Sequence, residues 1–148
     1  MPVSAASGEQ VDVVADVIAS LLPEGPQFYP DDVVTEESDE TRMAELIREA
    51  ALEGVRDELP HSIAVTIEEV LPHEGRDDMV DVHATVYVER QSQKSIVLGK
   101  GGSRMREVGT RARAGIEALL GTKVYLDLHV KVLKEWQRDP KMLGRLGF

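Results

Sequence analysis

Residues 96–105 read Ile-Val-Leu-Gly-Lys-Gly-Gly-Ser-Arg-Met. An apolar run enters Gly99-Lys100-Gly101-Gly102, and a basic amphipathic stretch leaves it. Glycine lets the backbone take positive φ and come close to a ligand with no Cβ in the way. Ser103 and Arg104 would open a helix whose leading N–H groups point back at the turn, which favours an anion such as phosphate. Lys100 stands at the tip with no carboxylate beside it in the sequence. The four-residue pattern G-x-x-G has little weight alone, since 12 glycines in 148 residues give about one such match by chance. A second match, Gly144-Arg145-Leu146-Gly147, has one residue after it and no helix to launch, so it reads as a decoy.

Spacing excludes two other phosphate loops. A Walker A loop needs a glycine four residues ahead of the Gly-Lys pair and Ser or Thr straight after it. Those positions hold Lys94 and Gly101. A dinucleotide fingerprint starting at Gly99 needs glycine at 104, where the chain has Arg104. The remaining alternative is a plain glycine-rich joint between two helices, and the flanks have to decide it.

Hydrophobic residues make up 42% of the chain and aromatics 4%, enough for a core of mostly aliphatic side chains. Cysteine is absent, which excludes a disulfide framework and a thiolate metal site. No apolar stretch approaches the roughly 18 residues of a membrane span, and the N-terminus lacks a basic-then-apolar signal pattern. A soluble, cytoplasmic protein is expected. The net charge of −10 looks wrong for a nucleic-acid binder, but its sign splits along the chain. Residues 1–89 hold 22 acids and 4 bases; residues 90–148 hold 13 bases and 5 acids. The net charges are therefore −18 and +8, and the basic half begins at the glycine turn. Such asymmetry points to nucleic acid at the basic end, against the plainer reading of a solvated basic face.

Ser7-Gly8-Glu9-Gln10 has capping-box spacing, and Val11, Val14, Ile18, Leu21 and Leu22 recur at helical intervals, so a helix is expected over 8–22. Prolines and acids mark 23–38 as a linker. Ser38 or Asp39 caps a helix over 40–57 with Met43, Leu46, Ile47, Ala50 and Val55 on its buried stripe. Ile63, Val65 and Ile67 alternate with polar neighbours, as do Val80, Val82, Ala84, Val86 and Val88. Each run reads as a half-buried strand. A short helix over 92–98 feeds the turn, and a longer one over 103–120 buries Met105, Val108, Ala112, Ile116 and Leu119. Gly121 ends it, and Val124, Leu126, Leu128, Val130 and Val132 mark a third strand.

From 40 to 132 the order is α-β-β-α-α-β, with the glycine turn between the second and third helices. Three one-faced strands need helices on their apolar side. This order and turn position resemble a type II KH domain, an α+β fold with a three-stranded sheet and helices on one face. Here an orphan helix and a linker precede it. KH domains clamp single-stranded nucleic acid with a GxxG loop. The expected boundaries are 1–22, 23–38 for the linker, 39–133 for the KH domain and 134–148 for a tail with a short helix.

Longer runs sharpen the resemblance. They are Leu22-Pro23-Glu24-Gly25-Pro26 with Tyr29-Pro30-Asp31, Glu45 to Glu49, Asp57 to Ser62, Val108-Gly109-Thr110, Leu120 to Leu126, and Trp136-Gln137-Arg138-Asp139-Pro140. In this order, with the Ile96–Met105 segment, they resemble the C-terminal part of the Era family of bacterial ribosome-assembly GTPases, over nearly the whole chain. Val3-Ser4-Ala5 followed by Gly8 is similar to that family's last guanine-contacting loop. The resemblance implies a GTPase parent using GTP and magnesium. This chain has no Walker A, Asp-x-x-Gly or Asn-Lys-x-Asp, so it reads as a truncated, non-enzymatic piece with no cofactor of its own.

The resemblance also implies single-stranded ribosomal RNA, at the 3′ end of the small-subunit RNA, and the small ribosomal subunit as partners. Peripheral association with the inner face of the cell membrane is left open for the parent. By motif matching, Gly99, Lys100, Gly101 and Gly102 would be the backbone clamp. Lys94, Ile96, Val97, Arg104 and Met105 would border the groove, with the strand from Lys123 to His129 opposite. Arg106 and Arg113 are candidate phosphate contacts, and Lys134 and Trp136 candidate additions. The helix over 8–22 would have lost the sheet it packs on, leaving its stripe for self-association.

None of His61, His73, His83 and His129 forms a close helical pair with an acid between, and no catalytic or metal site is expected. Trp136 is more often a packing residue than a base platform. The competing functions are another type II KH ribosomal or transcription-factor module and a protein-interaction adaptor using the acidic half.

Overall fold

The computed structural model describes residues 2–26, 37–53 and 63–147, and the chain divides into two units, Met1–Glu36 and Glu37–Phe148. Val55, Pro60 and most of the expected linker lie outside the described residues.

In the first unit, helix α1 is Val11–Leu21. The expected capping box does not form. Ser4 and Glu9 pair in an isolated bridge, and the Ser7 N–H donates to Ser4 Oγ at 3.3 Å. Gln10, at φ 58°, becomes an N-cap with no side-chain bond, so the helix starts three residues later than its spacing suggests. Val11, Val17, Ile18, Leu21 and Leu22 are exposed.

The second unit opens on a cap that was legible in the sequence. Ser38 Oγ accepts the Thr41 N–H at 3.2 Å and starts α2 (Asp39–Leu52). Strands β1 (Ala64–Pro72) and β2 (Met79–Val88) pair antiparallel. After them come α3 (Gln91–Leu98), a 3₁₀ turn Lys100–Gly102, α4 (Ser103–Leu120) and β3 (Lys123–Val132). A second 3₁₀ turn, Trp136–Arg138, leads to α5 (Pro140–Leu146). The sheet order is β1-β2-β3, with β2 and β3 parallel from Met79↔Lys123 to Val88↔Val132. Parallel neighbours cannot be joined by a hairpin; they need a crossover. That crossover is α3, the glycine turn and α4.

The core lies between the sheet and α2, α3 and α4. Met43, Ile47, Ile63, Val82, Val86, Val88, Val97, Ile116 and Val124 are all buried there. Each is worth roughly 1.5–3 kcal/mol when fully removed from water. The expected stripe of α2 holds at Met43, Ile47 and Ala50, and Ala51 joins it. The alternation of β1 breaks after Ile67, where the register shifts and Glu68 becomes the extra residue of a bulge. Glu68 Oε1 accepts from Thr66 Oγ1 at 2.8 Å and Tyr87 Oη at 3.4 Å. The Thr66 hydroxyl is the main reason this carboxylate stays below its usual range.

The other face of the sheet is not wholly bare. Ala64 and Tyr87 alternate with core residues and so point away from the helices. They form a second, smaller cluster with Trp136 and Leu146. On the same face His83 Nδ1 and His129 Nε2 both meet Asp127 Oδ2, at 3.2 and 3.1 Å. The decoy G-x-x-G is absorbed into α5: Gly144 is inside the helix and Gly147, at φ 84°, caps it.

Trp136 is 3% exposed, which makes it the anchor of the C-terminal segment. Trp136→Ala should cost about 3–5 kcal/mol, the usual penalty for emptying a buried Trp site. Urea unfolding followed by circular dichroism measures it, and a loss under 1 kcal/mol would contradict this packing role.

Candidate nucleic-acid interface

The turn is prepared by α3. Gln93 is buried, and its Oε1 accepts the N–H groups of Glu89 and Arg90, both at 2.9 Å, which fixes the helix start. Val97, 0% exposed, pins the other end to the core. Gly99 then leaves the helix at φ 71° and ψ 176°, its N–H donating to Ser95 O at 3.0 Å. A Cβ on Gly99 would sit 2.7 Å from Arg104 Cβ and 3.0 Å from the Arg104 backbone nitrogen. Glycine is therefore a steric requirement there, because the chain folds back onto the first turn of α4. Gly101 (φ 59°) and Gly102 (φ 74°) have open space around them, so conformation alone calls for glycine at both. The Gly102 N–H donates to Gly99 O at 3.2 Å and closes the turn.

Gly102 is also the N-cap of α4, and it supplies no side-chain acceptor. A helix leaves its first N–H groups without intrahelical partners. Here the first of them is already engaged, the Ser103 N–H donating to Lys100 O within the exposed turn, and the next ones follow directly on that turn. An anion at this point would meet backbone donors, a helix dipole and an ammonium group together.

A groove of about 500 Å³ runs from this turn between α4 and β3. Its α4 wall carries Met105, Arg106, Gly109, Thr110 and Arg113; Leu126 and Leu128 give it an apolar side on β3, and Tyr125 stands at the edge. Gly109 opens it: a Cβ there would lie 3.7 Å from Leu128 Cδ1 and narrow the space. Arg106 and Arg113 stand about 10 Å apart along the helix axis, seven residues at 1.5 Å each. The arrangement offers aliphatic surface for a flat ring and cations at phosphate positions. A larger hollow of about 950 Å³ between α2 and α4 is net acidic, with Glu37, Glu45, Glu49 and Glu53 around it against Arg42 and Arg48, and suits a phosphate chain less well.

At the far end of the groove Glu117 ties α4 to β3. Its Oε1 accepts the Val124 N–H at 3.1 Å, and its Oε2 lies 3.5 Å from Lys123 Nζ. The Val124 N–H is the main reason this carboxyl titrates below its ordinary value of 4.5.

The structure brings Gly99, Lys100, Gly101, Gly102, Met105 and Arg106 together as expected. It places others elsewhere. Arg104 turns away from the groove: its Nη2 donates to Ala51 O at 3.1 Å and Glu53 O at 2.9 Å, where α2 ends. Its charge serves the carbonyl end of another helix. Val97 is a core residue with no surface to offer. Trp136 is packed on Ala64 and Tyr87 and presents no free ring face to a base. Lys123 is exposed beside Glu117, and Ile96 (46% exposed) and the half-buried Lys94 sit on α3 outside the groove lining. Leu98, Gly109 and Thr110 line the groove without having been singled out for it. Gly109 did carry a signal, because glycine inside a helix costs about 1 kcal/mol against alanine and wants a reason.

A KH domain profile matches residues 58–137, which contain the turn, the groove and the whole sheet. The chain belongs to the KH domain family. As a KH protein it also bears out the narrower resemblance expected from its sequence. It is 72% identical over 148 residues to the GTPase Era of Mycobacterium sp. (strain KMS), covering 100% of this chain and 50% of that one. It is 70% identical, with 49% of the relative covered, to the GTPase Era of Mycobacterium tuberculosis (strain ATCC 25177 / H37Ra). The chain spans about half the length of the curated relatives it matches. Among solved structures, Aquifex aeolicus Era bound to GDP·AlF4⁻ superposes with a TM-score of 0.92 at 38% identity, covering 99% of this chain and 49% of that one. Era in complex with MgGDPNP and nucleotides 1506–1542 of 16S ribosomal RNA gives a TM-score of 0.93 at 38% identity, with the same coverage.

The two G-x-x-G matches should respond oppositely to alanine. Gly99→Ala must displace the start of α4 and should lose at least about 1 kcal/mol, since its φ alone disfavours a side chain. Gly144→Ala lies in open helix and should gain up to about 1 kcal/mol. Thermal melts of both variants test this, and equal effects would undo the assignment of the turn.

Proposed function

We propose that this chain binds single-stranded RNA with the Gly99–Gly102 turn and the groove between α4 and β3, and that its ligand is the 3′ end of small-subunit ribosomal RNA. One observation carries the reading: a helix N-terminus without a side-chain cap and an exposed lysine stand at the mouth of a groove with an apolar side and two arginines. The turn and the α4 N-terminus clamp the phosphate backbone. Met105, Leu126 and Leu128 receive the bases, and Arg106 and Arg113 hold further phosphates. Lys94, Ile96 and Lys123 contribute at the margins. The Era neighbour that contains a 16S ribosomal RNA segment supports this ligand.

The wider role is small-subunit assembly in the cytoplasm, with the chain acting as the RNA-reading part of an Era-like GTPase. GTP and magnesium belong to the other half of such a protein, and Val3-Ser4-Ala5 is at most one edge of the guanine site, so the chain by itself does not hydrolyse GTP. The working boundaries are 1–22, 23–38, 39–133 and 134–148. The exposed apolar side chains of α1 are available for contact with a second copy. No helix among the described residues is long and apolar enough to cross a membrane; any membrane association of the parent would be peripheral.

Lys100→Asp combined with Gly101→Asp places two carboxylates where phosphate should sit, on an exposed turn away from the core. RNA affinity should fall at least about tenfold, one lost charge-assisted contact with added repulsion, while the circular dichroism spectrum stays unchanged. A folded variant that binds like the original would refute the turn as the clamp. The salt dependence follows from the cations present. Lys100, Arg106 and Arg113 give three phosphate contacts, so log K should fall with log salt at a slope of about −2 on single strands. A flat salt profile, or equal affinity for duplex RNA, would contradict the groove.

A further inference from the structure

Helix α2 ends without a cation of its own. Its last turn holds no basic residue, and its C-cap is Glu53 in an extended conformation, φ −61° and ψ 127°. The last carbonyls of a helix have no intrahelical partner, and the negative end of the helix dipole gathers there. The missing cation arrives from α4. Arg104 Nη2 donates to Ala51 O at 3.1 Å and Glu53 O at 2.9 Å, and Arg111 forms an ion pair with Glu53. We propose that Arg104 is a positioning residue for the glycine turn: it holds the turn ready for RNA by fastening the start of α4 to the end of α2, and touches no RNA itself. The role rests on the RNA reading given above and makes α2, which lines no part of the groove, contribute to affinity.

Three observations carry it. The first is contact. A Cβ on Gly99 would lie 2.7 Å from Arg104 Cβ, whereas a Cβ on Gly101 or Gly102 would meet nothing within 4 Å. Gly99 is thus the tightly packed glycine of the turn, and Arg104 is what it packs on. The same residue touches the turn with its Cβ and α2 with its guanidinium. A shift of the end of α2 would reach Gly99 through one side chain.

The second is direction. Arg104 borders a small hollow of about 280 Å³ with Ala50, Glu53, Glu107, Val108 and Arg111. At about 100° per residue, positions 104 and 111 lie on the opposite side of α4 from 106 and 113. Those two arginines line the groove, and Arg104 does not.

The third is cost. Arg104 Nε is buried and meets no acceptor among the described residues. A buried N–H left without an acceptor opposes folding. Methionine, an apolar side chain of similar reach, would avoid that cost and still pack. Stability alone is therefore a weak reason for arginine here. What the guanidinium adds is geometry, since its rigid fork fixes one helix end against another. A turn ordered in advance binds more tightly, because the ligand does not have to order it. Linkage makes the effect reciprocal: if the end of α2 strengthens RNA binding, bound RNA stabilises the end of α2 by the same factor.

The test compares the full chain with Arg104→Met, Arg104→Lys and, as a groove control, Arg106→Met, with folding checked by circular dichroism. Each is titrated at several salt concentrations with a ten-nucleotide single strand from the small-subunit RNA 3′ end. Arg104→Met should bind about fivefold or more weakly, the low end of ordinary coupling between sites. Its salt slope should stay unchanged, because no phosphate contact is lost. Arg106→Met should instead flatten the slope by about 0.7, one contact on a single strand. Arg104→Lys keeps the charge and a donor and should recover part of the loss. A merely structural role would lower the melting temperature and leave the affinity of the folded protein alone. Hydrogen exchange adds a readout on the unaltered chain: RNA should slow exchange of the Glu53 amide, which donates to Glu49 O at 3.1 Å, and should not do so in Arg104→Met. The positioning role is overturned if folded Arg104→Met binds like the original, or if its slope flattens as that of Arg106→Met does. It is overturned too if RNA leaves the Glu53 amide of the unaltered chain unchanged. Should Arg104→Met fail to fold, the lysine variant and the exchange measurement decide. If the unaltered chain does not bind the strand, the RNA reading itself fails and the positioning role falls with it.

Discussion

The parallel pairing of β2 and β3 is the constraint on which the rest of this domain depends. Ten residue pairs run in the same direction, so the chain must travel back across the sheet between them. It does so with two helices of unequal length, and reversing between helices of one crossover needs a sharp joint. The glycine turn is that joint. A structural necessity and the proposed ligand site thus occupy the same four residues, with the core fixing the turn from Val97 on one side and Met105 on the other.

Arg104 shows how closely the joint is tied to the rest. Its backbone packs on Gly99, and its guanidinium accepts the role of capping group for α2, 51 to 53 residues away in the chain. Arg111 reinforces the same junction through an ion pair with Glu53. The end of α2 and the start of α4 are in effect one piece. The basic residues of α4 divide accordingly: Arg104 and Arg111 serve α2, whereas Arg106 and Arg113 line the groove.

Much of this was readable in the sequence because it rests on local patterns. The alternation of β2 and β3, the Ser38 cap, the Gly121 stop and the turn each depend on residues a few positions apart. What escaped notice depends on distant partners. The periodicity of α4 puts Arg104 and Arg111 on one side, but only the fold reveals that α2 occupies that side. Trp136 was readable as a packing residue, but its neighbours Ala64 and Tyr87, from two strands, were not. The bulge at Glu68 breaks an alternation that looked regular, and the Ser4–Glu9 bridge removes a cap with correct spacing. Gly109 announced itself by its cost to the helix, but its purpose appears only when Leu128 is seen across the groove.

Helix α4 separates two opposed surfaces. On one side Arg106 and Arg113 line the groove; on the other, Gly115, Ala118 and Leu119 border the hollow, where four carboxylates outnumber Arg42 and Arg48. A polyanion drifting towards this domain therefore meets a field that changes sign across the width of a single helix. With screening over about 8 Å at physiological ionic strength, that field is silent at long range and acts as a torque at close range. For a strand bound as proposed above, orientation would be corrected only in the last step of the encounter, and a second strand would be discouraged from settling on the back of the domain.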